Sequence, residues 1–175
     1  YRLVAWPQKQ GKAPQEAGWG LRAADPAQIT SSDNIGCNHA LSGTACIDVD
    51  HFDMAVVVFE YLGLDVEALK AETLAYTGRP GRLKLLYRAP VPALGVRKLR
   101  VRLKPDDPEP TTIIELRGAA DGKQAQDVLP PSIHPTTGQP YQLLTELRPV
   151  SQLPELPAPL LELWQNWSAY EKALK

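Results

Sequence analysis

The sequence predicts an α/β (α+β) domain. Apolar residues alternate with period two in several short runs, the period becomes helical after residue 50 and again near the C-terminus, and Gly- and Pro-rich turns separate the runs. At 175 residues the chain fits one domain, or two fused lobes, and can bury a sizeable core. A content of 43% hydrophobic and 22% charged residues is ordinary for a soluble protein. No apolar run approaches the roughly 20 residues of a membrane span. Cys37 and Cys46 make neither a disulfide framework nor a zinc spacing, so a cytoplasmic setting is expected. The chain opens on Tyr1 rather than methionine, and residues 1–175 read as one domain cut from something longer.

Tyr1 to Trp6 reads as a strand, followed by a loop to Pro14 built around Lys9, Gly11 and Lys12. Trp19 to Arg22 reads as a short extended piece, and Asp25-Pro26 as the N-cap and first position of one helical turn. Asn34 to Cys37 and Ala45 to Asp50 are strands, with a turn at Gly43 between them. Phe52, Val56, Phe59 and Leu62 then recur at helical spacing up to Gly63, a C-terminal cap. A second helix, capped by Asp65, carries Leu69 and Leu74 inward until Gly78-Arg79-Pro80-Gly81 stops it. Strands follow at Leu83–Arg88, Arg97–Lys104, Thr111–Leu116 and Gln126–Leu129. In the second of these Leu99, Val101 and Leu103 alternate inward. Residues 130 to 141 hold four prolines and a glycine, a stiff loop that brings Ser132 and His134 together. Gln142 to Leu147 pairs back as a strand, and a last helix lines up Leu160, Leu163, Trp164, Trp167 and Leu174.

Two features carry chemistry. In Ala45–Asp50 the alternation puts Asp48 and Asp50 on one face, about 7 Å apart, with Ile47 and Val49 on the other. Like charges so close repel, and a divalent cation between them relieves the cost; Mg²⁺ or Mn²⁺ suits an open, oxygen-lined, phosphate-handling site. The structural alternative is that Asp48 ends the strand and Asp50 caps the helix after it. The second feature is charge distribution. From Arg79 to Lys104 there are nine basic residues and no acidic one in a chain whose net charge is -1. Such a field suits a polyanion, with a solvated strand face as the alternative.

The succession Lys12-Ala13-Pro14, Asn34-Ile35-Gly36, Gly43, Asp48-Val49-Asp50, a Gly/Arg turn before a strand, Glu115-Leu116-Arg117-Gly118 and the loop from Pro130 to Gly138 resembles the bifunctional primase-polymerase domain of the archaeo-eukaryotic primase superfamily. The likeness runs from about Tyr1 to Tyr141. It implies an N-terminal αβ lobe with the Asp48-Val49-Asp50 strand, fused to a lobe like an RNA-recognition fold with Lys84 and Glu115, the active site lying between them. Asp48, Asp50 and Glu115 take the family's acidic positions, which hold two Mg²⁺ or Mn²⁺ ions. Many relatives have histidine where this chain has Lys84, a permanent cation without histidine's switchable proton.

Arg82, Lys84, Ser132 and His134 are the implied nucleotide contacts. For Ser132 and His134 the alternative is structural, a turn former and a bracing hydrogen-bond donor. Arg97, Lys98, Arg100 and Arg102 are the expected contacts to a DNA strand. The implied activity is template-directed nucleotidyl transfer, priming and extension on single-stranded DNA from nucleoside triphosphates, in plasmid, phage or prophage replication, with a helicase domain as the usual neighbour. A metal-dependent nuclease, or an inactive single-strand-binding replication module, fits the same residues.

Overall fold

The computed structural model describes residues 1–89, 94–119 and 125–174. In chain order the elements are β1 (Leu3–Pro7), β2 (Asp33–Asn38), α1 (His39–Ser42), β3 (Thr44–Val49), α2 (Phe52–Tyr61), α3 (Val66–Glu72), β4 (Leu74–Thr77), β5 (Leu83–Arg88), β6 (Arg97–Val101), β7 (Thr111–Arg117), β8 (Gln126–Leu129), β9 (Gln142–Leu143), α4 (Ala158–Gln165) and α5 (Trp167–Leu174). Six strands form one sheet in the order β6-β7-β3-β5-β4-β9, and three form another, β1-β2-β8. Every strand pairing is antiparallel. The result is a mixed α+β domain with two antiparallel sheets and, among the described residues, five α-helices.

The alternation in β3 decides the layering. Ile47 and Val49 enter a core with Phe59 of α2, Leu69 of α3 and Leu160, Leu163 and Trp164 of α4. Cys46 points the other way, into a second core with Val4, Trp6, Tyr76, Leu86 and Val128. The larger sheet is therefore the middle layer, with helices on one face and the small sheet on the other. Asp48 shares the face of Cys46, on the side that meets the small sheet.

Local signals place the helices. Asp65 accepts hydrogen bonds from the backbone N–H groups of Glu67 and Ala68 at 2.7 and 2.9 Å, a cap worth about 1 kcal/mol. Gly63, at φ 71°, takes the left-handed conformation just past α2 and donates to Glu60 O. Asp50 does not cap α2: His51 occupies the N-cap position and no side chain bonds the helix there. That leaves the Asp50 carboxylate free for other partners.

Several expectations need correction. The Asp48 strand does not stand in a separate lobe from Lys84 and Glu115, because β3 pairs directly with β5 and β7 and the three residues stand in one sheet. Leu74 belongs to β4 and not to a helix; pairing with Leu86 of β5 overrides the helical spacing. Trp19–Leu21 is a 3-10 turn rather than an extended piece. β6 ends at Val101 after an irregularity between Leu99 and Arg100, so Leu103 is exposed. β9 has two residues, and Leu144 and Leu147 beyond it are exposed. The C-terminal helix breaks at Asn166 into α4 and α5, yet Trp164 and Trp167 both stay buried, as packing residues. Among the described residues, no helix is long and apolar enough to cross a membrane.

Candidate active site

Antiparallel register writes a line of charge across the large sheet. Lys98 of β6 is opposite Glu115 of β7, Glu115 opposite Asp48 of β3, Asp48 opposite Lys84 of β5, and Lys84 opposite Tyr76 of β4. Directly opposed residues share a face, with Cβ atoms about 5 Å apart. Opposite charges attract at both ends of this rung: Lys98 Nζ lies 2.6 Å from Glu115 Oε1, and Lys84 Nζ lies 2.5 Å from Asp48 Oδ2. The middle of the rung sets two carboxylates side by side. Asp50 lies two residues beyond Asp48 and pairs with Arg82 from the turn before β5.

These side chains line a cleft of about 280 Å³ with Lys12, Arg79, Arg117, Gln126, Asp127, His134 and Tyr141. Six basic and four acidic side chains meet there, leaving basic charge in excess. Among the described residues, the side chains of Lys12 and Arg79 pair with no carboxylate. Burial lowers the Lys12 pKa, and Lys84 and Arg79 push it further down. His134 is likewise lowered, by burial and then by Lys12 and Arg79. Its Nδ1 accepts from the backbone N–H groups of Thr136 and Thr137 at 3.3 and 3.4 Å, so the neutral ring carries its proton on Nε2. The ring packs on Tyr141, their centroids 5.4 Å apart, and both press against Gly78. A Cβ at Gly78 would meet Tyr141 Cε1 at 2.5 Å, so glycine is what lets this wall close.

Beneath the rung lies a buried charge network. Asp127 of β8, 2% exposed, accepts from Lys84 Nζ at 2.6 Å, from Arg117 Nε at 2.9 Å and from His39 Nε2 at 2.9 Å. Burial works against its ionisation, but Lys84, Arg117 and His39 outweigh that and hold its pKa well below the usual carboxylate range. Burial also disfavours the His39 imidazolium, yet Asp127 and Cys37 raise its pKa to about 9. Lys84 is raised in the same way, Asp127 and Asp48 overriding its desolvation. Arg117 also holds Glu115 Oε2 at 2.8 Å. Glu115 is lowered, since Lys98 and Arg117 more than offset its burial. Asp50 is raised, by burial first and then by the neighbouring Asp48 charge.

The cleft thus brings together Asp48, Asp50, Glu115, Arg82, Lys84, Lys98 and His134. Ser132 is elsewhere: its hydroxyl donates to Ile35 O at 3.1 Å and accepts from Ile35 N–H at 2.8 Å, fastening the loop to β2. Arg97 pairs in register with Leu116, which faces the helices, and lines a surface hollow with Asn166 and Trp167. Arg97 and Lys98 therefore leave β6 on opposite faces, and Arg100 and Arg102 are exposed. From the sequence Arg79 was read only as the first of the basic run and Arg117 only within the Glu115-to-Gly118 motif, and neither they nor Asp127 received a role of their own. The only signal for Asp127 was a carboxylate in a short extended run, Gln126 to Leu129.

As the side chains stand, no three His, Cys, Asp or Glu among the described residues are arranged to hold a metal ion. The donor chemistry nevertheless fits one. Asp48, Asp50 and Glu115 are all oxygen donors lining one cleft, with Asp48 directly opposite Glu115 and two residues from Asp50, a crowding that a divalent cation relieves. In the structure the three carboxylates are paired with Arg82, Lys84, Lys98 and Arg117.

No curated protein matches the chain. The family model for the N-terminal domain of bifunctional DNA primase/polymerases matches residues 2–157, which include every strand and the whole cleft. The chain belongs to this bifunctional DNA primase/polymerase family, nucleotidyltransferases that act on DNA and nucleotides and are generally metal-dependent.

Proposed function

We propose that this chain catalyses template-directed transfer of nucleotides to a 3'-hydroxyl, making primers and extending them on single-stranded DNA, with residues 1–175 as one catalytic domain. The observation that carries the reading is the rung itself: Glu115 and Asp48 abreast at the centre, Lys98 and Lys84 outside them, and Asp50 just past the end of β3. Asp48, Asp50 and Glu115 are the residues that would hold two Mg²⁺ or Mn²⁺ ions. Bound there, such ions would activate the attacking hydroxyl and neutralise the leaving pyrophosphate.

The chain's own cations do the rest. Lys84, Arg82, Lys12 and Arg79 surround the carboxylates and offer charge to a triphosphate. His134, neutral and protonated on Nε2, donates a hydrogen bond without adding charge. Arg100 lies further along the strand that carries Lys98 and Arg102 just past its end, both exposed and outside the cleft, and they suit a template backbone. A plasmid, phage or prophage setting and a neighbouring helicase domain complete the proposal.

The test is incorporation of labelled nucleotide on a primed single-stranded template with Mn²⁺. Asp48→Ala, Asp50→Ala and Glu115→Ala should each abolish it while thermal melts report a folded protein. Near wild-type rates in Asp48→Ala and Asp50→Ala would sink the assignment. Shortened product would mean a nuclease, and retention without chemistry an inactive binding module.

A further inference from the structure

Asp127 lies outside the proposed metal ligands, yet three cationic groups converge on it. It belongs to the small sheet, whereas Lys84 and Arg117 come from β5 and β7 of the large sheet, and His39 opens α1. Its oxygens are divided: Oδ1 takes Lys84, and Oδ2 takes Arg117 and His39. Lys84 and Arg117 each have a second carboxylate partner, Asp48 for one and Glu115 for the other. Both cations are therefore held on one side by Asp127 and on the other by a proposed metal ligand.

We propose that Asp127 is a positioning residue for nucleotidyl transfer, an inference that rests on the function proposed above. It keeps Lys84 and Arg117 at the cleft wall when Asp48 and Glu115 give up their cations, so that both stay directed at the incoming triphosphate. Among the described residues, the only carboxylate partner left to either cation without Asp127 is a proposed metal ligand. Metal and cation would then compete for the same oxygens. A purely structural role, fastening the small sheet to the large one, is the alternative that the test must separate.

The test is a double-mutant cycle between Asp127→Asn and Lys84→Met, read by calorimetry with a non-hydrolysable nucleoside triphosphate in Mn²⁺. Asp127→Asn should weaken binding about tenfold, the lower end of what a charge-assisted contact to phosphate supplies. In the Lys84→Met background its effect should be clearly smaller, because most of it acts through the ammonium. In steady-state assays the KM for nucleotide should rise while the KM for template stays put, a split that loosened sheets would not produce. Wild-type affinity in Asp127→Asn, or an equal loss in both backgrounds, overturns the proposal.

Should Asp127→Asn fail to fold, nitrogen-15 NMR of the lysine ammonium groups in the wild-type protein decides. The Lys84 signal, assigned by its loss in Lys84→Met, should remain slow to exchange in saturating Mg²⁺, and its disappearance overturns the tether. Failure of the polymerase reading would register differently, as wild-type protein that incorporates no nucleotide.

Discussion

Replacing Lys84 by methionine keeps most of the side-chain volume and removes one ammonium from between two carboxylates. Asp48 Oδ2 and Asp127 Oδ1 lose partners at 2.5 and 2.6 Å, while Asp127 Oδ2 keeps Arg117 and His39. Breaking a buried pair by removing one partner costs about 3 to 5 kcal/mol. The lower end applies, because the Asp48 side chain is 17% exposed and can regain water. A loss of about 3 kcal/mol should lower the melting temperature by roughly 6 to 12 °C in a chain of this size. Ligand binding should move in opposite directions. Nucleotide-free protein should bind Mn²⁺ more tightly, because Lys84 no longer competes for Asp48, whereas the triphosphate should bind about ten- to hundredfold more weakly. Melts in chelator followed by Mn²⁺ and nucleotide titrations read all three. A melting temperature within about 2 °C of wild type would refute the buried pairing, and unchanged Mn²⁺ affinity would refute competition at Asp48.

If Arg100 and Arg102 follow a template backbone, the double change to glutamine should weaken single-strand binding for all sequences alike and reduce the salt slope by about 0.7 per lost phosphate contact; an unchanged slope returns them to a solvated face. The His39 network predicts a pH dependence of stability. With a folded pKa raised from 6.5 to about 9, its contribution is complete below pH 6.5 and is lost as pH rises through 9. Cys37, whose thiol is lowered by His39 against its own burial, makes that fall shallower. Denaturant melts should record falling stability across this window, and His39→Gln should remove the slope; a slope that persists in that variant would place the titration elsewhere.

Much of the site was legible wherever side-chain alternation alone decides. Asp48 and Asp50 opposite Ile47 and Val49 follow from period two, and Glu115 sits on a strand of the same kind. What alternation cannot supply is which strands are neighbours. The division into lobes followed chain order, whereas hydrogen bonding set β3 between β5 and β7, two strands that come later in the sequence. Ser132 and His134 were grouped because they are two residues apart in one stiff loop. Separate anchors divide them: Ile35 takes the Ser132 hydroxyl, and Thr136 and Thr137 turn the His134 ring. Leu74 matched a helical spacing, and only its pairing with Leu86 made it a strand residue.

Asp127 was illegible for a different reason, and the residue that explains it was in view. A histidine at position 84 would shed its charge readily if metal took Asp48, whereas Lys84, only 13% exposed, is held in its charged form by Asp127 and Asp48 against its own burial. A buried ammonium whose sole counter-charge is also a metal ligand pays desolvation in full whenever the metal binds. If Asp48 holds metal as proposed, Lys84 needs a second carboxylate that the metal does not claim. Asp127 meets that need, from a strand more than forty residues along the chain and in the other sheet. On the proposed assignment, Lys84 and the Asp127 carboxylate three residues before Pro130 are two halves of one electrostatic solution, and neither half explains itself alone.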